Sequence, residues 1–155
     1  MSLDSTASAA SDDDRATAIR LYNETWKLLD QQNRTQREDD RMMHMAHASR
    51  FHWDTVGTDQ QRAIGEWQIS RVYAALGRAS SAVLHAERAV EYAQSPGLDD
   101  WVVASAYEGL ARAHAVAGDL PSARRARDRC RLLLDAIDDD EDRQVVAADL
   151  DSLAL

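Results

Sequence analysis

The chain has 155 residues, and 18 Lys and Arg against 27 Asp and Glu give a formal charge of −9. That length suits one hydrophobic core, and the acidic balance excludes broad binding to nucleic acid or an anionic membrane, which would repel it. Six Gly and two Pro are too few turn formers for a sandwich of short strands, and a single Cys excludes an internal disulfide framework and fits a reducing, cytoplasmic setting.

Residues 1–11 are rich in Ser, Ala and Asp and lack the basic and apolar segments of a secretory signal, so a disordered tail is expected there. Residues 12–155 are expected to form one all-α domain, with no apolar run near the ~18 residues of a membrane span. Ser11 with Asp14 resembles a capping box. It opens a first helix whose apolar set Ile19, Leu21, Tyr22, Trp26, Leu28 and Leu29 runs to Gln32–Asn33. Thr35 with Glu38 opens a second helix, running to about Thr55, and Thr58 or Asp59 caps a third that stops at Gly77. Ser80 or Ser81 starts a fourth, which ends before Ser95–Pro96–Gly97. Asp99 caps a fifth, stopped at Gly118, and Pro121 sits in the first turn of a sixth, where no backbone N–H is needed. The acid run Asp138–Asp142 leads a short seventh helix through Leu153.

An internal repeat stands out. From Ile69, the residues Ser70, Tyr73, Gly77, Ala82 and Ala89 follow at the same steps as Ala111, His114, Gly118, Ala123 and Cys130 follow from Leu110. The pattern resembles the tetratricopeptide repeat over residues 63–137, although Gly118 follows Gly77 by 41 residues where the family spacing is about 34. The resemblance implies three stacked antiparallel helical hairpins with a short C-terminal capping helix, working as a protein- or peptide-binding module. In such repeats the first helix of each hairpin lines a concave face, which here places Arg71 and Arg112 inward, with Lys27 if Tyr22 is the large residue of the first hairpin. Trp67 would stand beside this cationic stripe as an aromatic wall. An acidic peptide is the ligand class such a stripe implies, and a second copy of the chain, forming a homo-oligomer, is the alternative occupant. Replacing both arginines with Glu is then expected to abolish capture and leave the melting midpoint unchanged. The plainer reading is that Arg112 pairs with Glu108 one turn earlier and Arg71 with a nearby acid.

No phosphate-binding loop, nucleophile elbow or paired-Cys zinc spacing occurs, so no catalytic residue is assigned and no cofactor is expected. Asp40, His44 and His47 share one helix face and form a partial transition-metal set, the basis of an alternative reading as a metal-dependent or small-molecule-binding helical-bundle enzyme. A regulatory domain of a longer protein is a third reading. Cys130 falls in a small-residue slot and reads as a buried, inert thiol, and His85 and His114 as structural. The aromatic run Phe51, His52 and Trp53, with Trp67, is expected where the first two hairpins meet. Arg124, Arg125, Arg127, Arg129 and Arg131 lie largely on an outer helix face, where they are expected to interact with the acid run that follows.

Overall fold

The computed structural model describes residues 3–155 and the side chains of residues 11–155. Among the described residues there are seven helices: α1 Leu3–Leu29, α2 Gln36–Val56, α3 Asp59–Ala75, α4 Ala79–Tyr92, α5 Asp100–Val116, α6 Leu120–Leu134 and α7 Asp140–Asp151. Their starts follow from local chemistry. The Thr35 hydroxyl accepts from Glu38 N at 3.3 Å while the Glu38 carboxylate accepts from Thr35 N at 2.7 Å, a reciprocal capping box. Thr58 N likewise donates to the Gln61 side chain at 2.8 Å. Asp119 caps α6 by accepting from Ser122 N, and Asp139 caps α7 by accepting from Asp142 N. At the N-terminus α1 begins at Leu3, so Ser11 lies inside the helix rather than at its cap, and the Asp14 carboxylate meets His52 Nδ1 at 2.6 Å instead. Residues 1 and 2 of the expected tail lie outside the described residues. No described helix is long and apolar enough to cross a membrane.

The helices pack as adjacent pairs, α1 with α2, α3 with α4 and α5 with α6, and α7 lies against α5 and α6. Two of the hairpin turns are the same object. Gly77 adopts φ 69° and Arg78 N reaches back to Tyr73 O at 2.9 Å; Gly118 adopts φ 76° and Asp119 N reaches back to His114 O at 3.0 Å. This left-handed helix ending is open to glycine at little cost, which is why the two turn glycines recur at equivalent steps.

Small residues set how closely the helices of a pair approach. Ser49 of α2 donates to Ala18 O of α1 at 2.8 Å, and the Cys130 thiol of α6 donates to Ala104 O of α5 at 3.3 Å. Ala63 and Ala89, at the matching places of the middle pair, are both buried. Ala82 is fully buried with Ala86 and Ala113 where α4 meets α5, and its carbonyl accepts from the Ser70 hydroxyl at 2.8 Å. Ala82→Leu is expected to overpack this contact and cost about 1–3 kcal/mol; an unchanged denaturation midpoint would contradict the placement. At the far end, Val146 and Leu150 of α7 close over Ala104, Cys130 and Ile137, so α7 covers the apolar end of the last hairpin.

Candidate functional site

The hydrogen bonds of Ser49 and Cys130 fix the register between pairs: Ala18, Ala63 and Ala104 are equivalent. Seven residues further stand Thr25, Ser70 and Ala111, all buried where the chain needs slim side chains. The next residue in each helix is Trp26, Arg71 and Arg112. Trp26 therefore takes the place expected for Lys27, which points the other way and lies exposed near Glu24, Glu38 and Arg41 between α1 and α2. The register also makes Tyr22, Trp67 and Glu108 equivalent, so the first helices of all three pairs bring a large or charged side chain to one shared face.

On that face a buried carboxylate organises the charges. Glu108 is 1% exposed. It accepts from Trp67 Nε1 at 3.2 Å, from Arg71 Nη1 at 3.1 Å and from Arg112 Nε at 2.8 Å and Nη2 at 2.5 Å. Arg71 lays its guanidinium over two indoles that contact each other, 5.5 Å from the Trp26 ring centre and 5.9 Å from that of Trp67. Its Nη2 reaches Asp149 of α7 at 3.5 Å. Arg112 Nη2 also donates to Asp149 O at 2.9 Å and to the Ser152 hydroxyl at 3.1 Å, which satisfies a carbonyl in the last turn of α7. The plainer expectation for the two arginines is the one the geometry bears out. Both are held by the chain's own acids, and one of those acids belongs to the C-terminal helix.

Between α7 and the shared face lies a cavity of about 380 Å³. Tyr22 and Trp26 of α1, Trp67 and Arg71 of α3, and Trp101 and Ser105 of α5 line one side. Asp142, Val145, Val146 and Asp149 of α7 line the other, and Asp30 stands at the end of α1. Burial pushes the Tyr22 phenol above its ordinary value of 10.0, the hydrogen bond with Trp26 and the charge of Arg71 opposing that rise. Comparison with protein families, with curated proteins and with solved structures finds no match. The site is read from its own chemistry.

The histidine face of α2 does not assemble into a site. His44 stays exposed beside Asp40 and Arg37, while the His47 ring turns to Tyr73, its Nε2 3.0 Å from the phenol oxygen, and packs 5.4 Å from the ring of His85. Among the described residues no three His, Cys, Asp or Glu side chains gather as metal ligands. His85 Nδ1 lies 2.7 Å from Glu66, whose other oxygen accepts from Arg50 Nε at 3.0 Å. Burial works to raise the pKa of Glu66, but the hydrogen bond with His85 and the charge of Arg50 hold it below the ordinary 4.5. The folded protein thus keeps this carboxylate ionised to lower pH than the unfolded chain does. Its stabilising effect is complete above about 4.5 and lost as pH falls through the lowered value. Glu66→Gln is expected to flatten the acid side of the stability–pH curve; an acid side as steep as before would contradict that role.

The run Phe51–His52–Trp53 and Trp67 do not meet. Phe51 is exposed, His52 pairs with Asp14, Trp53 packs under Arg15, and Trp67 stands on the shared face beside Trp26. Phe51 and His52 touch edge to face, 5.7 Å between ring centres, but helical residues turn about 100° each, so Trp53 leaves that pair for Arg15. Cys130 is buried, and burial pushes its thiol up to about 12, which fits an inert side chain. His114 lies near Asp119 at 3.8 Å. In the arginine run, Arg127 and Arg131 pair with Asp128 inside α6 rather than with the following acids, and Arg129 covers the ring of Tyr107.

Trp26, Trp101 and Asp149 are absent from the sequence-based candidates. The signal for Trp26 was the small-residue register, in which Ala18 matches Ala63 and brings Trp26 level with Arg71. Trp101 and Asp149 carry no such signal, because only the docking of α7 brings them together.

Proposed function

We propose that the protein is a helical-hairpin interaction module, of the tetratricopeptide-like kind its repeat resembles, and that a segment of a partner protein enters the cavity between α7 and the first helices. The observation that supports this reading is the cavity, about 380 Å³ in volume and lined from all three hairpins by Tyr22, Trp26, Trp67 and Trp101. Its volume lies within the range of ligand pockets, and Tyr and Trp are the residues on which binding energy concentrates at interfaces. The two arginines that an acidic peptide would have used already hold Glu108 and Asp149. The reading therefore places the contact on the aromatic lining rather than on a cationic stripe.

Selection of binders from a random peptide library tests it. Ser105 is 4% exposed and lines the cavity, so Ser105→Phe fills the space, whereas Leu132, 69% exposed on α6, lies outside it. Selected peptides are expected to lose at least about tenfold in affinity for Ser105→Phe, near 1.4 kcal/mol, and to bind Leu132→Glu as they bind the parent. Binders indifferent to Ser105→Phe, or a selection yielding none, would contradict the proposal.

A further inference from the structure

We infer that the joint between the first two hairpins is an acid-sensitive latch, formed by His47 and His85 around the Tyr73 ring, whose opening loosens the cavity. This rests on the interaction-module reading and adds how that site is regulated. Three rings from three helices meet at the joint. His47 of α2 lies 5.7 Å from the Tyr73 ring of α3 and 5.4 Å from the His85 ring of α4, between centres. Tyr73 stacks on His85 at 5.6 Å, and its hydroxyl lies 3.0 Å from His47 Nε2. A neutral imidazole can accept the phenol proton on that nitrogen, whereas an imidazolium can only donate there. Protonating His47 therefore turns the Tyr73 hydroxyl around and sets a cation against the second imidazole. His47 is exposed, so water can deliver that proton.

The surrounding charges oppose that cation more than they help it. His44 stands one turn earlier on α2, and Arg78, from the turn between α3 and α4, reaches the Met43 sulfur at 3.5 Å. Glu66 of α3 favours it, but this carboxylate already accepts from Arg50 Nε at 3.0 Å, and His85 Nδ1 lies 2.7 Å from its other oxygen. Arg88 of α4 adds to the positive charge around Glu66. Burial, with His85 and His44, holds His47 below its ordinary value of 6.5, and Glu66 pulls the other way. The folded chain thus takes up this proton less readily than the unfolded one. The stabilising effect of neutral His47 is complete above about 6.5 and lost as pH falls through the lowered value. Packing carries the change to the cavity. Tyr73 packs against Met42, Ala46 and Ile69 on one side and Ala82 and Ala86 on the other. Arg71, two residues before it, lies over Trp26 of the first hairpin and Trp67 of the second, whose rings are 5.4 Å apart in the cavity wall.

Nuclear magnetic resonance titration of the full chain between about pH 7.5 and 5.5 tests the latch. The indole N–H signals of Trp26 and Trp67, which meet across the joint, are expected to move with the same midpoint as the His47 ring protons. His47→Gln leaves Tyr73 a bonding partner that does not titrate, and it is expected to abolish that movement. His44→Gln, an exposed change on the same helix, is expected to leave the movement intact. His85→Gln is expected to raise the His47 midpoint, because it removes the facing imidazole. A peptide selected from the library is expected to bind the parent at least about threefold more weakly at the acid end, and His47→Gln equally at both ends. Indole signals that stay in place while His47 titrates, or that move unchanged in His47→Gln, would overturn the latch. A parent peptide affinity equal at both ends would overturn its link to the cavity. A library that yields no peptide counts against the module reading, and the indole signals still decide the latch.

Discussion

Arg112→Ala is expected to destabilise the protein by about 3–5 kcal/mol, because it removes the nearest cation, two of whose nitrogens donate to one oxygen, from a carboxylate that water cannot reach. Glu108 is 1% exposed and takes two of its hydrogen bonds from Arg112, at 2.8 and 2.5 Å. The same side chain ties down the end of α7 through Asp149 O and Ser152. The double replacement Arg71→Glu with Arg112→Glu is expected to prevent folding, since it strips both cations from Glu108 and adds two like charges beside it. That outcome replaces the expectation of an unchanged melting midpoint, which treats both arginines as free surface groups. Urea denaturation of Arg112→Ala checks the magnitude, and Glu108→Gln in the same background should restore part of the loss. A cost below about 1 kcal/mol, the scale of an exposed ion pair, would mean the carboxylate is not held as described.

Trp67→Ala is expected to cost about 3–5 kcal/mol, the range for deleting a buried aromatic side chain. The indole is 7% exposed, packs against Trp26, Ala89 and Ala106, and donates to Glu108. The backbone of α5 is built around it. A methyl group added at Gly109 would sit 2.6 Å from Trp67 Cδ1, closer than real contacts allow, so the ring must shift. Gly109→Ala is therefore expected to cost about 1–3 kcal/mol by overpacking and to alter the tryptophan emission of the folded protein. Native emission and an unchanged denaturation midpoint in Gly109→Ala would contradict the close approach.

What the sequence made legible is local chemistry. The Thr35–Glu38 box, the first turn of α6 at Pro121 and the glycine stops at Gly77 and Gly118 are each decided by a few neighbouring residues, whereas Asp99 stands at the start of α5 without a side-chain cap bond and accepts from Gln60 of α3 instead. The helical pairs follow from these, because short turns between amphipathic helices force antiparallel neighbours. The site was legible only in part. Arg71, Trp67, Glu108 and Arg112 do come together, since the repeat places them at matching helix positions. A one-residue slip in the first hairpin put Lys27 on the wrong side, and that error equals about 100° of rotation on a helix. The largest gap concerns α7. Its acid-rich sequence reads as a cap for the last hairpin, which Val146 and Leu150 confirm. That its other face would bring Asp142 and Asp149 to the aromatic lining depends on long-range packing, and no local pattern encodes it.

The central claim is that the cavity between α7 and the first helices is where a partner binds. Nuclear magnetic resonance of the four indole N–H groups, recorded during titration with a peptide selected for binding, tests it most directly. The account predicts that the signals of Trp26, Trp67 and Trp101 move together with one saturation curve while that of Trp53, packed under Arg15 on α2, stays in place. Movement of the Trp53 signal with the other three unchanged would place the binding surface elsewhere and contradict the account.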